Sequence, residues 1–307
     1  MNLNFVNLFN ALPGACAQGL IWGIMAIGVF ITYKVLDVAD LTVDGSITTG
    51  AATCIMLMLA GWNVWLALLG AMIAGLLAGL VTGLLHTFMG IPALLAGILT
   101  QLSLYSINLR IMGKANQAIS VDKYTLLVSL RRIPQAIIVV SIFTLVIIAV
   151  LYWFFGTALG SSIRATGANP NMSRAQGINT DRNKVFGLML SNGLVALSGA
   201  LLGQYQGFSD VKMGTGAIVI GLAAVIIGDV VFSRIFRNFA LKLLSVVFGA
   251  VIYYIVIQVV LWLGLNADFL KLLSAIVVAI FLAIPYWKGK YFKVSVKAPV
   301  AAAKEDQ

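Results

Sequence analysis

About nine times along this chain, some twenty residues pass with almost no charged side chain, and that recurrence constrains the fold more than any motif. A helix needs about 20 apolar residues to cross roughly 30 Å of hydrocarbon, and within a bilayer every backbone polar group must be bonded inside its own segment. Candidate spans lie at 12–33, 43–60, 63–85, 91–111, 137–155, 185–205, 214–232, 239–263 and 267–286. The second and seventh are short and rich in Gly and Thr, and read as broken or re-entrant. Of the 307 residues, 61% are apolar and 10% are charged, where a soluble domain has about 25% charged. Too few charges remain to solvate a globular surface, and disorder requires more charge and less hydrophobicity. The sequence predicts an all-α, polytopic transmembrane helix bundle of about nine spans (eight to ten) over residues 1–287. A basic tail, 288–307, follows.

The charges orient the bundle. Twenty Lys and Arg stand against ten Asp and Glu, and cationic loops collect on the cytoplasmic side of a membrane. With the tail inside, Lys34, Arg164, Arg174, Arg182, Lys184, Arg234 and Arg237 join it. Lys114, Lys123, Arg131, Arg132 and Lys212 are left outside. This arrangement places the amino terminus outside, in a bacterial plasma (inner) membrane, and assigns the positive charge to the bilayer, with no nucleic acid partner. The four basic groups of loop 112–136 fit poorly outside. Either that loop makes an external contact, or the span count is off by one in the first half. Cys16 and Cys54 lie inside apolar stretches and read as small packing residues. The opening MNLNFVNLFNALPG lacks the basic region of a cleavable signal.

Catalytic chemistry has little to work with. There is one histidine, His86, no cluster at metal-ligand spacing and no G-x4-GK[ST] phosphate loop. The chain is expected to be non-enzymatic, with no cofactor. Asp37, Asp40 and Asp44 read as caps at the start of a helix, where carboxylates meet the positive end of the dipole; a proton or metal site is the alternative. Polar residues inside the spans must face a neighbour or water. Interhelical bonding and path lining both remain open for them. The candidate path residues are Asp40, Asp44, Gln101, Asn108, Asn192 and Gln204, and a path nearly bare of charge suits a neutral or zwitterionic solute.

Two patterns concern packing. Gly75, Gly79 and Gly83 form a bare stripe on one helix face, and Gly199 and Gly203 form another, where a neighbouring backbone can approach closely. GSITTGAA at 45–52 resembles GAIVIGLA at 216–223, with the first running outward and the second inward. That is either an inverted repeat, a plan common among transporters, or a coincidence of Gly-, Ala- and Ile-rich composition.

The most informative segment is the 156–184 loop, containing GSSIRATGANPNMSRAQGINTDRNK. Asn169 is a good N-cap, Pro170 suits the first helical position, and Gly177 suits the left-handed end of a helix. Between them lies a helix of about two turns, too short to stand alone in water. Arg174 and Gln176 mark its exposed side, and Met172 and Ala175 give it a small apolar surface. Gly160 and Gly167 punctuate a shorter segment before it that bears Arg164. On its residues alone, the loop is either a connector held to lipid headgroups by Arg164 and Arg174 or a docking element.

The pattern G-x3-RA-x-G-x-N-x3-RA-x-GI resembles the cytoplasmic loop of permease subunits from binding-protein-dependent ABC importers of the branched-chain amino acid, ribose and nucleoside group. DVADLTVDGSITTGAA, 37–52, is similar to the segment that opens the second span in the same family, through Asp40, Leu41, Thr42, Val43, Gly45 and Ser46. GDVVFSRIF, with Asp229 near Arg234, departs from the common pattern and resembles a subgroup of unassigned substrate, sometimes linked to aromatic amino acids. The resemblance implies that Arg164, Ala165, Gly167, Asn169, Arg174, Ala175 and Gly177 form a coupling helix region that seats on a separate ATP-binding subunit. It also implies a second permease copy or paralogue and an extracytoplasmic solute-binding protein as partners. The alternative is a secondary transporter driven by an ion gradient.

Overall fold

Apolar runs of the required length do become helices. A computed structural model describes residues 5–232, 235, 236, 238–263, 269, 272, 275–281 and 283. Helix α1 spans Phe5–Phe30 and continues as a π-helical turn, Ile31–Val35. Then come α2 (Val43–Leu59), α3 (Val64–Thr87), α4 (Ala93–Met112), strand β1 (Asn116–Ala118) and α5 (Ile133–Gly156). Two shorter helices, α6 (Ala158–Ala168) and α7 (Pro170–Ala175), precede α8 (Thr180–Gln206), strand β2 (Phe208–Asp210), α9 (Ala217–Phe232) and α10 (Phe239–Trp262). Among the described residues, six helical segments are long and apolar enough to cross a membrane. At 17 and 16 residues, α2 and α9 reach only about 25 Å at 1.5 Å per residue, short of a full crossing. Half of the ninth expected span falls outside the described residues; within it, 275–281 are helical.

Among the described residues, two short strands depart from the all-α expectation. Asn116, Gln117 and Ala118 pair antiparallel with Asp210, Ser209 and Phe208, tying loop 112–136 to the end of α8. The short α6–α7 element lies at the other end of α5 and α8. The two connections therefore mark opposite faces of the bundle, here called the strand face and the coupling face.

The core is built around α1 and α8, each 78% buried over its most apolar window, while α4 and α5 are 28% buried over theirs. Small residues permit the close packing. Gly75, Gly79 and Gly83 each stand directly against α8, at Asn192, Leu188 and Val185. Gly199 and Gly203 do the same against α2, at Ile47 and Ala51. Hydroxyls then bond across the helices: Ser191 Oγ donates to the Gly28 carbonyl at 2.8 Å and Ser198 Oγ to the Ile21 carbonyl at 2.7 Å. Without a hydrophobic force between helices in lipid, such contacts hold the bundle together.

Candidate functional site

The coupling face carries the loop singled out by sequence. Asn169 adopts an extended conformation and its Oδ1 accepts the Met172 amide at 3.0 Å, while Pro170 opens α7. Gly177 has φ +79° and its amide donates to the Arg174 carbonyl. Helix α7 is six residues long. The segment before it, expected to be the shorter, is the longer one: α6 has 11 residues, capped by Thr157. That length is set by tertiary contacts. Asn183 of α8 donates through Nδ2 to Ser162 Oγ at 2.7 Å and Thr166 Oγ1 at 2.8 Å, fastening α6 to the start of α8. No local pattern in the sequence marks Asn183 for this.

The same C-terminal end of α6 is wedged against the π-helical turn that continues α1. Gly167 sits on the Val35 carbonyl with no room for a side chain. Arg164, Asn169, Arg174, Ala175 and Gly177 are exposed, and Ala165 is half-buried. Arg174 is held back toward α8: its Nε donates to Thr180 Oγ1 at 2.9 Å, and Asp181 lies 3.7 Å from its Nη2. Met172 is 55% exposed, so α7 presents an uncovered apolar knob beside exposed polar groups.

A second construction lies deep between the faces. Helices α2 and α9 run in opposite directions, α2 toward the strand face and α9 toward the coupling face, and their N-terminal ends meet at Asp44. This carboxylate sits in the first turn of α2, yet it accepts the Gly216 amide at 2.8 Å and the Ile218 amide at 2.9 Å. One side chain thus serves the positive ends of two helices. The segments GSITTGAA and GAIVIGLA are the openings of these two short helices. Of the three aspartates read as caps, Asp40 and Asp44 both accept backbone amides near a helix start, but Asp44 caps a helix 172 residues away.

The structure brings Asp40 and Asn192 together. Asp40 is 2% exposed; its Oδ1 accepts the Thr42 amide at 2.9 Å and its Oδ2 accepts Asn192 Nδ2 at 2.7 Å. Asn192 in turn accepts Ser46 Oγ at 2.6 Å. Next to it the hydroxyls of Thr42, Thr82 and Thr100 form a chain with separations of 2.7 and 2.9 Å, linking α2, α3 and α4. The other expected path residues stand apart. Gln204 is buried, accepting the Leu127 amide at 3.1 Å. Gln101 is half-buried on α4. Asn108, also on α4, is buried with no partner for its Oδ1 among the described residues. None of the six lines the cavity of about 510 Å³ between α1, α9 and α10, whose walls include Gln18, Trp22, Tyr253, Tyr254 and Gln258. Its lining is largely apolar and aromatic, with two side-chain amides and no charged residue.

The sequence profile of the family described as "Branched-chain amino acid transport system / permease component" matches residues 13–284. A "Tyrosine transport system permease protein" of Clostridioides difficile is 42% identical over 266 residues, covering 87% of this chain and 88% of that one. A Rickettsia prowazekii protein, "Uncharacterized protein RP368", is 34% identical over 89% of this chain and 97% of its own length. An "Autoinducer 2 import system permease protein LsrC" of Yersinia pestis is 28% identical over 67% of this chain and 58% of its own. Among solved structures, PsaBC from Streptococcus pneumoniae in complex with a Fab superposes with a TM-score of 0.55 at 16% identity, covering 94% of this chain and all of that one. That likeness concerns the fold.

Proposed function

The chain belongs to the branched-chain amino acid transport system permease family, and on that premise we propose that it is half of a translocation unit driven by a separate ATP-binding subunit, carrying an aromatic amino acid. The observation that carries the coupling reading is α7: a short helix capped at both ends, exposed around most of its surface, and anchored through α6 to both central helices. A helix this short gains its stability from docking, and its free face is the natural seat for a motor. Arg164, Ala165, Gly167, Asn169, Arg174, Ala175 and Gly177 form or position that seat, on the cytoplasmic side.

The substrate class rests on the tyrosine permease relative and is supported by the aromatic, uncharged walls of the cavity between α1, α9 and α10. A second copy or a close paralogue completes the path. A solute-binding protein delivers from the strand face, where loop 112–136 and β2 supply the docking surface. Among the expected path residues, Asp44, Gln101 and Asn108 belong to the path or its moving parts. The enclosure and pairing of Asp40, Asn192 and Gln204 support a framing role for those three.

Assembly tests this directly. Copurified with its ATPase partner, the chain should lose that partner, or lose substrate-stimulated ATP hydrolysis, when Met172→Asp is placed on the exposed knob. Insertion and fold should persist. Unchanged assembly and unchanged coupling in both Met172→Asp and Ala175→Asp would overturn the docking assignment.

A further inference from the structure

A cavity of about 460 Å³ opens at the coupling face between the π-turn of α1, the end of α6, the last turns of α9 and the first turns of α10. Three cations stand at it, Lys34, Arg164 and Lys242, with one carboxylate, Asp229. Asp229 is committed to Lys34, whose Nζ lies 3.0 Å from its Oδ2. Arg164 lies over the Phe239 ring, 5.8 Å from the centroid, a contact that fixes the guanidinium without neutralising it. Neither Arg164 nor Lys242 has an ion-pair partner among the described residues. Among the described residues, two positive charges at one opening therefore have no carboxylate paired with them.

Ser245 apart, the side chains behind the charges are apolar, Phe30, Val35, Val225 and Val246 among them. Cations at a mouth with hydrocarbon walls behind them match one kind of molecule, a phosphodiester with an acyl chain attached. Basic pockets between transmembrane helices at the cytoplasmic boundary recognise lipid headgroups through this combination. We propose that this cavity binds an anionic phospholipid, its phosphodiester held by Arg164 and Lys242 and one acyl chain against the Phe30–Val246 walls. Free phosphate shares the headgroup chemistry but leaves the apolar walls uncovered. The site has a further consequence, which rests on the coupling reading above: Gly167 and Ala168 of α6 line the same cavity, so the bound lipid stiffens the base of the proposed motor seat.

Binding is measurable without the motor. The full chain, purified in detergent, is exposed to dioctanoyl phosphatidylglycerol, dioctanoyl phosphatidylcholine or inorganic phosphate. Retained adducts are counted by native mass spectrometry, and thermal stability is followed in parallel. Phosphatidylglycerol should be retained in preference to phosphatidylcholine and should raise Tm. Lys242→Gln should weaken retention about fivefold, the value of one cation near a headgroup, and Lys242→Arg should restore it. Equal retention of the two lipids, or no change in Lys242→Gln or in the double variant Arg164→Gln/Lys242→Gln, would overturn the site. A stability gain from inorganic phosphate equal to that from phosphatidylglycerol would overturn the lipid assignment and leave an anion site in its place. Because the readout needs neither ATPase nor orientation, its failure leaves the coupling proposal standing, and failure of coupling leaves the lipid site standing.

Discussion

At the scale of single residues, the unusual object is Asp40, a carboxylate 2% exposed in a chain that is nearly charge-free between its loops. A buried charge is tolerable only when it is fully bonded, and Asn192 is its essential donor from another helix. Asn192→Ala strips a donor from Asp40 and an acceptor from Ser46 at once. We expect it to destabilise the bundle by about 3 kcal/mol, the upper end for orphaned buried polar groups; a drop in Tm of the detergent-solubilised chain reads this, and an unchanged Tm would refute the network. Asp44 should behave differently because its bonds are helix caps. Asp44→Ala should cost about 1 kcal/mol, the usual value for a lost cap, and raise amide exchange at 216–220, whereas Asp44→Asn should keep much of the protection. Capping was legible in the sequence for Asp40 and Asp44, whereas Asp37, at φ +55°, accepts no amide among the described residues. That Asp44 caps a second, distant helix was not legible, since Gly216 lies 172 residues from it and nothing local joins them.

Elements were legible where their signals are local. Asn169, Pro170 and Gly177 mark both ends of α7 with side-chain and backbone chemistry that acts within a few residues, and the helix appears where they place it. Its neighbour α6 was read as too short because its stability comes from Asn183, Ser162 and Thr166, a contact made only after α8 has packed. The strands escaped for the same reason: three residues each, formed only because β1 and β2 are brought together from positions about ninety residues apart. This gives α6 a testable dependence. Asn183→Ala should raise hydrogen exchange across 158–168 while leaving α3 and α8 protected, and it should lower ATPase coupling without ejecting the partner. Ser162→Ala keeps one of the two bonds and should be milder on both readouts. Equal protection of α6 in Asn183→Ala would show that the Gly167–Val35 wedge alone positions it.

For the whole molecule, the apolar spans declared the bundle, but they left undecided what each outer face touches, because lipid and a second permease copy are both apolar media. The faces of α4 and α5 are the least covered, with Leu102, Ile138, Leu145 and Trp153 all more than half exposed. Orientation is the property on which every proposed partner depends, since a motor and a solute-binding protein must approach opposite faces. The strand face and the coupling face each offer an exposed position, Thr125 and Asn171. In a background with Cys16→Ala and Cys54→Ala, Thr125→Cys should react in intact cells with a maleimide that cannot cross the membrane. Asn171→Cys should react only after permeabilisation. The reverse pattern would turn the molecule over and put α7 where no cytoplasmic ATPase reaches it. Labelling of both from outside would break the bundle itself, because α5 and α8 must each cross an entire bilayer to carry the α6–α7 element away from the paired strands.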